Sequence, residues 1–535
     1  MTRRATWRNR TICASAAMAA ALALRSGTVA QEPEPMMLDP NLSVRTVVSG
    51  LEVPIGLAFL APGDMLVLEK DSGQVKRVTD GIVVGTVLDL AVNNSSERGL
   101  LGIALHPDFP ANPGVYLYWT CRSTAPPQDP FFPDEERCLE SNMFTTDTND
   151  VLEVPLLGNR VDRFEWNGTS LTFESNLIML RAFQNDGAPT PPGQGDSGEP
   201  PQTEPQPPRG NHDGGVIRFG PDRMLYIVIG DTGRRGQMQN LANGPGGPTG
   251  DDDQFGGPEP DNAHLTGVIL RLDENGNAPP DNPFFAAGGA MNNEVGDNIQ
   301  KIFAYGLRNS FGMAFDPISG DLWEQENGDD SFSELNRVEP GFNSGWVQIM
   351  GPAERIAQFK TIETTVTPDP PDPFADSYFG LQQLRWSPEN IADSAEEALS
   401  RLFMLPGAHF SGPEFSWKFE VAPGAIGFVS GTALGPQFSG DLFVAAARPF
   451  LEGGHLFHFN LTGNRRAIGV DDPRLEDRVA DNLHKWEITE SESLLIGRNF
   501  GVGTDIHTGP NGNLFIVSLT NRAIYEIFRT ERGPR

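Results

Sequence analysis

The side chain best placed for proton chemistry in this sequence is a histidine in a polar, glycine-flanked turn. Asn211-His212-Asp213-Gly214-Gly215 stands just before the strand-like run IRFGPDRMLYIVIGD (217–231), which puts His212 on a loop at one end of a sheet. A neutral imidazole there can act as a general base near pH 7. Asp231 closes the same run, at the point where a returning strand comes back to the rim it left. Its carboxylate can accept the ring's other N–H and hold the imidazole in one orientation. A bare loop histidine is equally able to be a solvated or capping residue, so these residues need elements that bring them together.

Those elements are repeated. A short β run, a turn rich in Gly, Pro and Asp, and a second β run recur as LAFLAPGDMLVLEK (57–70), IALHPDFPANPGVYLYWT (103–120) and IRFGPDRMLYIVIGD (217–231). They return as MAFDPISGDLWEQENG (313–328), FVSGTALGPQFSGDLFVAAA (428–447) and IHTGPNGNLFIVSL (506–519). Third strands follow several of them, as in SGQVKRV (72–78) and NRAIYEIF (521–528). A meander of that size cannot bury both its faces alone, whereas radially arranged meanders bury one another. Six copies of one pattern along the whole chain predict an all-β, six-bladed β-propeller over residues 31–535 rather than a sandwich. The Pro- and Gly-rich stretch 187–210 and the acidic, Gly-rich stretch 244–262 are expected as mobile loop insertions. Ser387-Pro388 and the pattern running to Met404 predict one helix, with Ser as N-cap and Pro at the first helical position.

Residues 1–30 hold five arginines, no acid and an apolar run ending in small residues, which reads as a signal peptide cleaved near Gln31. The expected location is secreted or periplasmic, by ordinary Sec export ahead of a twin-arginine route. The apolar run is too short to span a membrane, and no later stretch approaches that length. The formal net charge is −31, and losing the leader's arginines makes it more negative. Nucleic acid and anionic membranes are therefore poor partners. Of three cysteines, Cys13 leaves with the leader. A disulfide between Cys121 and Cys138, closing a Pro-rich loop, is the simplest fate of the other two in an oxidising compartment, since the metal-pair alternative lacks further Cys and suitably spaced His.

The strings ERGLLGIALHPDFPANPGVYLYW (97–119), NHDGGVIRFGPDRMLYIVIGDTG (211–233) and LTGVILRLDENG (265–276) resemble successive segments of the glucose/sorbosone dehydrogenase family. IFAYGLRNSFGMAFDP (302–317) and ELNRVEPGFNSGW (334–346) continue the resemblance in the family's order; from Gly351 on it holds only in outline. It implies a soluble quinoprotein that oxidises a sugar or polyol-like alcohol with pyrroloquinoline quinone (PQQ) and calcium, passing electrons to an external acceptor. His212 would take the hydroxyl proton and Asp231 would support it. Arg308-Asn309 would contact the quinone. Backbone carbonyls of Gly328 and Asp329 would hold the calcium, and Glu334 would serve a second, structural calcium. An ordinary acidic turn is the alternative for this stretch. A cofactor with three carboxylates and an ortho-quinone calls for guanidinium forks and a hard cation.

The chain also departs from that pattern. Val502 and Thr504 stand where well-studied members place two arginines, and a lysine on blade 5 has no counterpart, Arg448 being the nearest base. Glu97 occupies the place of a glutamine that contacts the quinone. Arg234, Arg235 and Arg498 could compensate from other loops. Two functions from different classes follow: a PQQ-dependent sugar dehydrogenase, favoured by retention of His212, Asp231, Arg308 and Asn309, and a cofactor-free propeller that binds a glycan or protein, favoured by the lost positive charge. A lactonase-type propeller shares only the architecture.

Overall fold

In the run DMLVLE (64–69), every second side chain faces the same way, and both faces are buried. Leu66 and Leu68 enter a core with Ile103, Val115 and Leu117, while Met65 and Val67 enter another with Phe515, Val517 and Ile524. A strand that is apolar on both faces needs a neighbour on each side, which a ring of sheets supplies. The computed structural model describes residues 34–94, 96–121, 158–182, 211–232, 265–292, 294–346, 348–364, 367–368, 378–379, 391–447 and 453–530.

Within them, the six repeats form six four-stranded antiparallel blades. Blade 1 comprises Pro54–Ala61, Asp64–Glu69, Gln74–Thr79 and Ile82–Asp89; blade 2 comprises Leu100–Leu105, Gly114–Thr120, Gly158–Trp166 and Leu171–Arg181. Blade 3 runs through Ile217–Phe219, Leu225–Ile229, Val268–Leu272 and Ile302–Tyr305. Blade 4 runs through Ser310–Phe315, Leu322–Glu326, Ser331–Val338 and Phe415–Phe419. Blade 5 contains Pro423–Phe428, Leu442–Ala446, His455–Thr462 and Leu495–Arg498. Blade 6 contains Gly503–Thr508, Leu514–Ser518 and Ala523–Arg529, and takes its outer strand, Leu42–Ser49, from the other end of the chain. Pairs such as Thr46 with Tyr525 close the ring, and no local pattern in the sequence announces them. Six apolar cores lie between successive blades all the way round.

Antiparallel alternation sends every connection into a first strand, and every connection from a second to a third strand, to one end of the propeller. Residues 70–73, 96–99, 211–216, 230–232, 306–309, 327–330 and 420–422 all occupy that end. Two longer insertions reach it by the same route. Phe342–Asn343 pairs parallel with the outer strand of blade 3, and Val479–Ala480 pairs parallel with the outer strand of blade 4. These straps carry Trp346 and Lys485 up to the loops.

The helix expected from Ser387 to Met404 is shorter. Residues 391–394 are not helical, and the helix is Ala395–Arg401, capped by Ser394, whose side chain accepts from the Glu397 backbone N–H. The Glu397 carboxylate reaches back to the Asp393 N–H at 2.9 Å. Ser394 with Glu397 three residues on is a stronger start signal than Ser-Pro, because it satisfies orphan N–H groups at the helix start. Ser387, both predicted loop insertions, Cys138 and the leader lie outside the described residues. Among the described residues, no helix is long and apolar enough to cross a membrane.

Candidate active site

His212 sits at φ +62°, a left-handed conformation uncommon outside glycine, and its side chain is almost fully buried. Such backbone persists where surrounding contacts over-determine it. Here the Glu97 carboxylate accepts the His212 N–H at 2.5 Å, and Nδ1 donates to Asp231 Oδ1 at 2.5 Å. The second oxygen of Asp231 accepts from Trp346 Nε1 at 2.8 Å. With Nδ1 committed to Asp231, the lone pair of the neutral ring lies on Nε2, which makes no hydrogen bond among the described residues. The result is an imidazole with one ring nitrogen able to accept a proton, an orienting carboxylate and a donor that fixes the carboxylate.

Gly230 lets three segments meet there. A Cβ at that position would lie 2.4 Å from the Arg308 carbonyl and 2.6 Å from the His212 carbonyl, so any side chain would push the 211–215 and 306–309 loops apart. The Asp231 N–H also donates to the Arg308 carbonyl at 2.8 Å, which ties blades 3 and 4 together at the site.

Behind the base lies a second buried carboxyl. Asp213 is fully buried; one oxygen accepts from Asn159 Nδ2 at 2.9 Å and the other has no hydrogen-bond partner among the described residues. Burial pushes its carboxyl up to about 7, against the opposing pull of Arg98. Because this folded value lies above the unfolded value of 3.8, the neutral carboxyl's contribution to stability is complete below pH 3.8 and is lost as pH rises through about 7. An Asp213→Asn variant keeps the Asn159 contact and cannot ionise. Urea melts should therefore show it gaining on wild type between pH 5 and pH 8.5, by about 2.5 kcal/mol. Parallel pH profiles would reject the assignment.

Arg308 is buried, but its fork is already used. Nη1 donates to the carbonyls of Asn327 and Gly328 at 2.8 and 2.9 Å, Nη2 meets Asp329 Oδ1 at 3.0 Å, and the guanidinium lies 5.4 Å from the centroid of the Trp346 ring. Gly328 is required by the turn that presents those carbonyls, since a Cβ would lie 1.9 Å from the Ser331 carbonyl oxygen. Arg308 Nε and Asn309 Oδ1 are buried without a hydrogen-bond partner among the described residues. These two atoms belong to the 306–309 loop, which meets the Asp231 backbone, and suit a polar cofactor or substrate placed across the loops.

The calcium positions fit less well. The carbonyl of Asp329 accepts from Lys485 Nζ at 2.8 Å, and the same ammonium meets Asp330 Oδ1 at 2.8 Å. The three successive carbonyls of the turn thus face cationic side chains. Glu334 does not join that turn. It pairs across blade 4 with Glu326, accepts from Asn336 at 3.0 Å and from the Gly351 N–H, and burial raises its carboxyl to about 7. Among the described residues, no three His, Cys, Asp or Glu side chains are arranged to hold a metal ion.

Glu97 is turned to the His212 backbone, a contact the sequence comparison could not foresee. Arg448, Arg234 and Arg235 lie outside the described residues, and Arg498 is exposed on the outer strand of blade 5. Val502 is buried, and the Thr504 hydroxyl is buried without a partner among the described residues. Asp505 binds Arg218 at 2.6 Å, linking the inner strands of blades 6 and 3 across the centre of the ring. Trp346 and Lys485 are the site residues that sequence reasoning missed. Trp346 ended a string that carried the family resemblance, and Lys485 had no signal at all.

The model of the family described as glucose/sorbosone dehydrogenase matches residues 51–129 and 201–373 of this chain. An uncharacterized protein from Synechocystis is 28% identical over 354 residues, covering 62% of this chain and 66% of the relative. Quinoprotein glucose dehydrogenase B from Acinetobacter calcoaceticus is 26% identical over 315 residues, covering 58% of this chain and 53% of the relative. The chain thus spans less than two thirds of the length of these curated relatives. The apo form of the soluble aldose sugar dehydrogenase from Escherichia coli superposes with a TM-score of 0.53 at 20% identity, covering 91% of this chain and 100% of that one. The PQQ-bound aldose sugar dehydrogenase from Streptomyces coelicolor superposes with a TM-score of 0.50 at 23% identity, covering 91% and 98%. At these identities the likeness speaks to the propeller fold.

Proposed function

Because the chain is a relative of the glucose/sorbosone dehydrogenases, we propose that it oxidises a sugar or polyol-like alcohol with PQQ, His212 serving as the general base. The observation that carries this reading is the chain of contacts from Trp346 through Asp231 to His212, which leaves one imidazole nitrogen able to take a proton. When bound, PQQ would supply the hydride acceptor. The protein's own part is to bind, orient and deprotonate. Nε2 of His212 accepts the substrate hydroxyl proton, and the imidazolium that results is stabilised by the Asp231 carboxylate at Nδ1. Trp346 keeps that carboxylate in line, and Glu97 holds the backbone from which the ring projects. Arg308 Nε and Asn309 Oδ1 are the polar atoms offered to the cofactor. The reading includes export under the leader 1–30, a Cys121–Cys138 disulfide and an external electron acceptor.

A second reading, a cofactor-free propeller that binds a glycan, has one observation in its favour: the Arg308 fork is spent within the protein, and Val502 and Thr504 add no charge. Absorption titration of the purified protein with PQQ, with and without calcium, separates the two. The dehydrogenase reading expects binding at micromolar PQQ and dye reduction with at least one aldose or polyol. Absence of both, with saturable glycan binding, would replace it with the second.

A further inference from the structure

We infer that Lys485 is the resident cation of the 327–330 turn, supplying the positive charge for which a divalent metal was expected there. This rests on the dehydrogenase reading for its purpose and on the turn's own contacts for its substance. The Lys485 side chain is 12% exposed; Nζ meets the Asp329 carbonyl and Asp330 Oδ1, each at 2.8 Å, and lies 3.6 Å from Glu420 Oε2. One carbonyl earlier, the Arg308 fork takes Asn327 and Gly328. A hard cation and an ammonium compete for the same oxygen, and a dipositive ion seated on Gly328 and Asp329 would stand against two fixed positive charges.

The placement is built. The strap at Val479–Ala480 runs beside the outer strand of blade 4, and Asn482 binds both the N–H and the carbonyl of Phe419 at 2.8 and 3.0 Å. Trp486 then donates its backbone N–H to the Glu420 carbonyl and its indole N–H to the Glu420 carboxylate. Lys485 is thereby held between two anchored neighbours. Carboxylate oxygens of Asp330 and Glu420 stand 2.8 and 3.6 Å from the ammonium, an arrangement that favours its charged form. Its partners are acids that would otherwise repel a tricarboxylate cofactor. Lys485 lies in the connection between the third and fourth strands of blade 5, far from every string that carries the family resemblance.

The experiment compares wild type with Lys485→Met after stripping with a chelator. Terbium is titrated in the absence of PQQ, with tryptophan-sensitised luminescence as the readout, since Trp346 and Trp486 flank the turn. PQQ affinity is then measured with and without calcium. Wild type should give no luminescence from this turn, and its PQQ affinity should change less than about threefold with calcium. Lys485→Met should gain a terbium signal and lose about tenfold in PQQ affinity without calcium, recovering when calcium is added. Equal terbium signals in the two proteins, or a wild type that binds PQQ only with calcium, would overturn the inference. If neither protein binds PQQ, the dehydrogenase reading fails and the terbium comparison alone decides the role of Lys485. If the variant does not fold, the calcium response of wild type decides it.

Discussion

His212→Asn will lower the rate of dye-linked alcohol or aldose oxidation by about 10²- to 10⁴-fold while leaving PQQ affinity nearly unchanged. On the proposed dehydrogenase reading the loss is large because the substituted group is the proton acceptor itself. On that reading binding survives because His212 would face the substrate proton, not the cofactor's carboxylates. Asparagine is the better test than alanine at this position. It tolerates the left-handed backbone at φ +62°, so the turn is kept, and the Glu97 contact to the backbone N–H is untouched. Steady-state rates with saturating PQQ, paired with a cofactor titration, separate the two effects. A variant that keeps a tenth or more of the wild-type rate would remove His212 from the chemistry.

Arg308→Ala has the opposite signature and a large structural cost. The substitution leaves the Asn327 and Gly328 carbonyls and the Asp329 carboxylate without their donor, in a place where burial is nearly complete. Although burial alone would lower the guanidinium's affinity for its proton, Asp329, Asp231, Glu363 and Glu420 outweigh it, so the charge is strongly held and its removal is felt by all four acids. Breaking a buried charge pair from one side costs about 3–5 kcal/mol. Urea denaturation should register that loss, and on the proposed reading PQQ binding should fall with it because the turn loses its brace. Arg308→Lys restores a charge without the fork and should recover only part of either quantity. An alanine variant as stable as wild type would mean that the turn is held by Lys485 and the backbone alone.

Much of this was legible in the sequence. The six apolar repeats fixed the number of blades, because a strand buried on both faces demands neighbours on both sides. The spacing of His212 and Asp231 around one β hairpin placed them at the same rim for a simple geometric reason: an antiparallel return brings the chain back to where it started. The family strings drew attention to Arg308 and Asn309 and ended on Trp346 without revealing its bond to Asp231.

What the tertiary structure decided are contacts between segments far apart in the chain, for which local pattern carries no information. Glu97 reaches His212 across 115 residues, Trp346 reaches Asp231 across 115, and Lys485 reaches Asp329 across 156. The outer strand of blade 6 comes from the opposite end of the chain for the same reason. A glutamate read beside a cofactor accepts the His212 backbone N–H, because side-chain direction is set by the packing of neighbouring blades. The carbonyls read as metal ligands face Arg308 and Lys485, because the loop entering blade 4 brings Arg308 to the turn and the strap beside the outer strand of blade 4 brings Lys485 there from far along the chain. Sequence determined the ring and the residues able to do proton chemistry; the three-dimensional closure determined which of them meet.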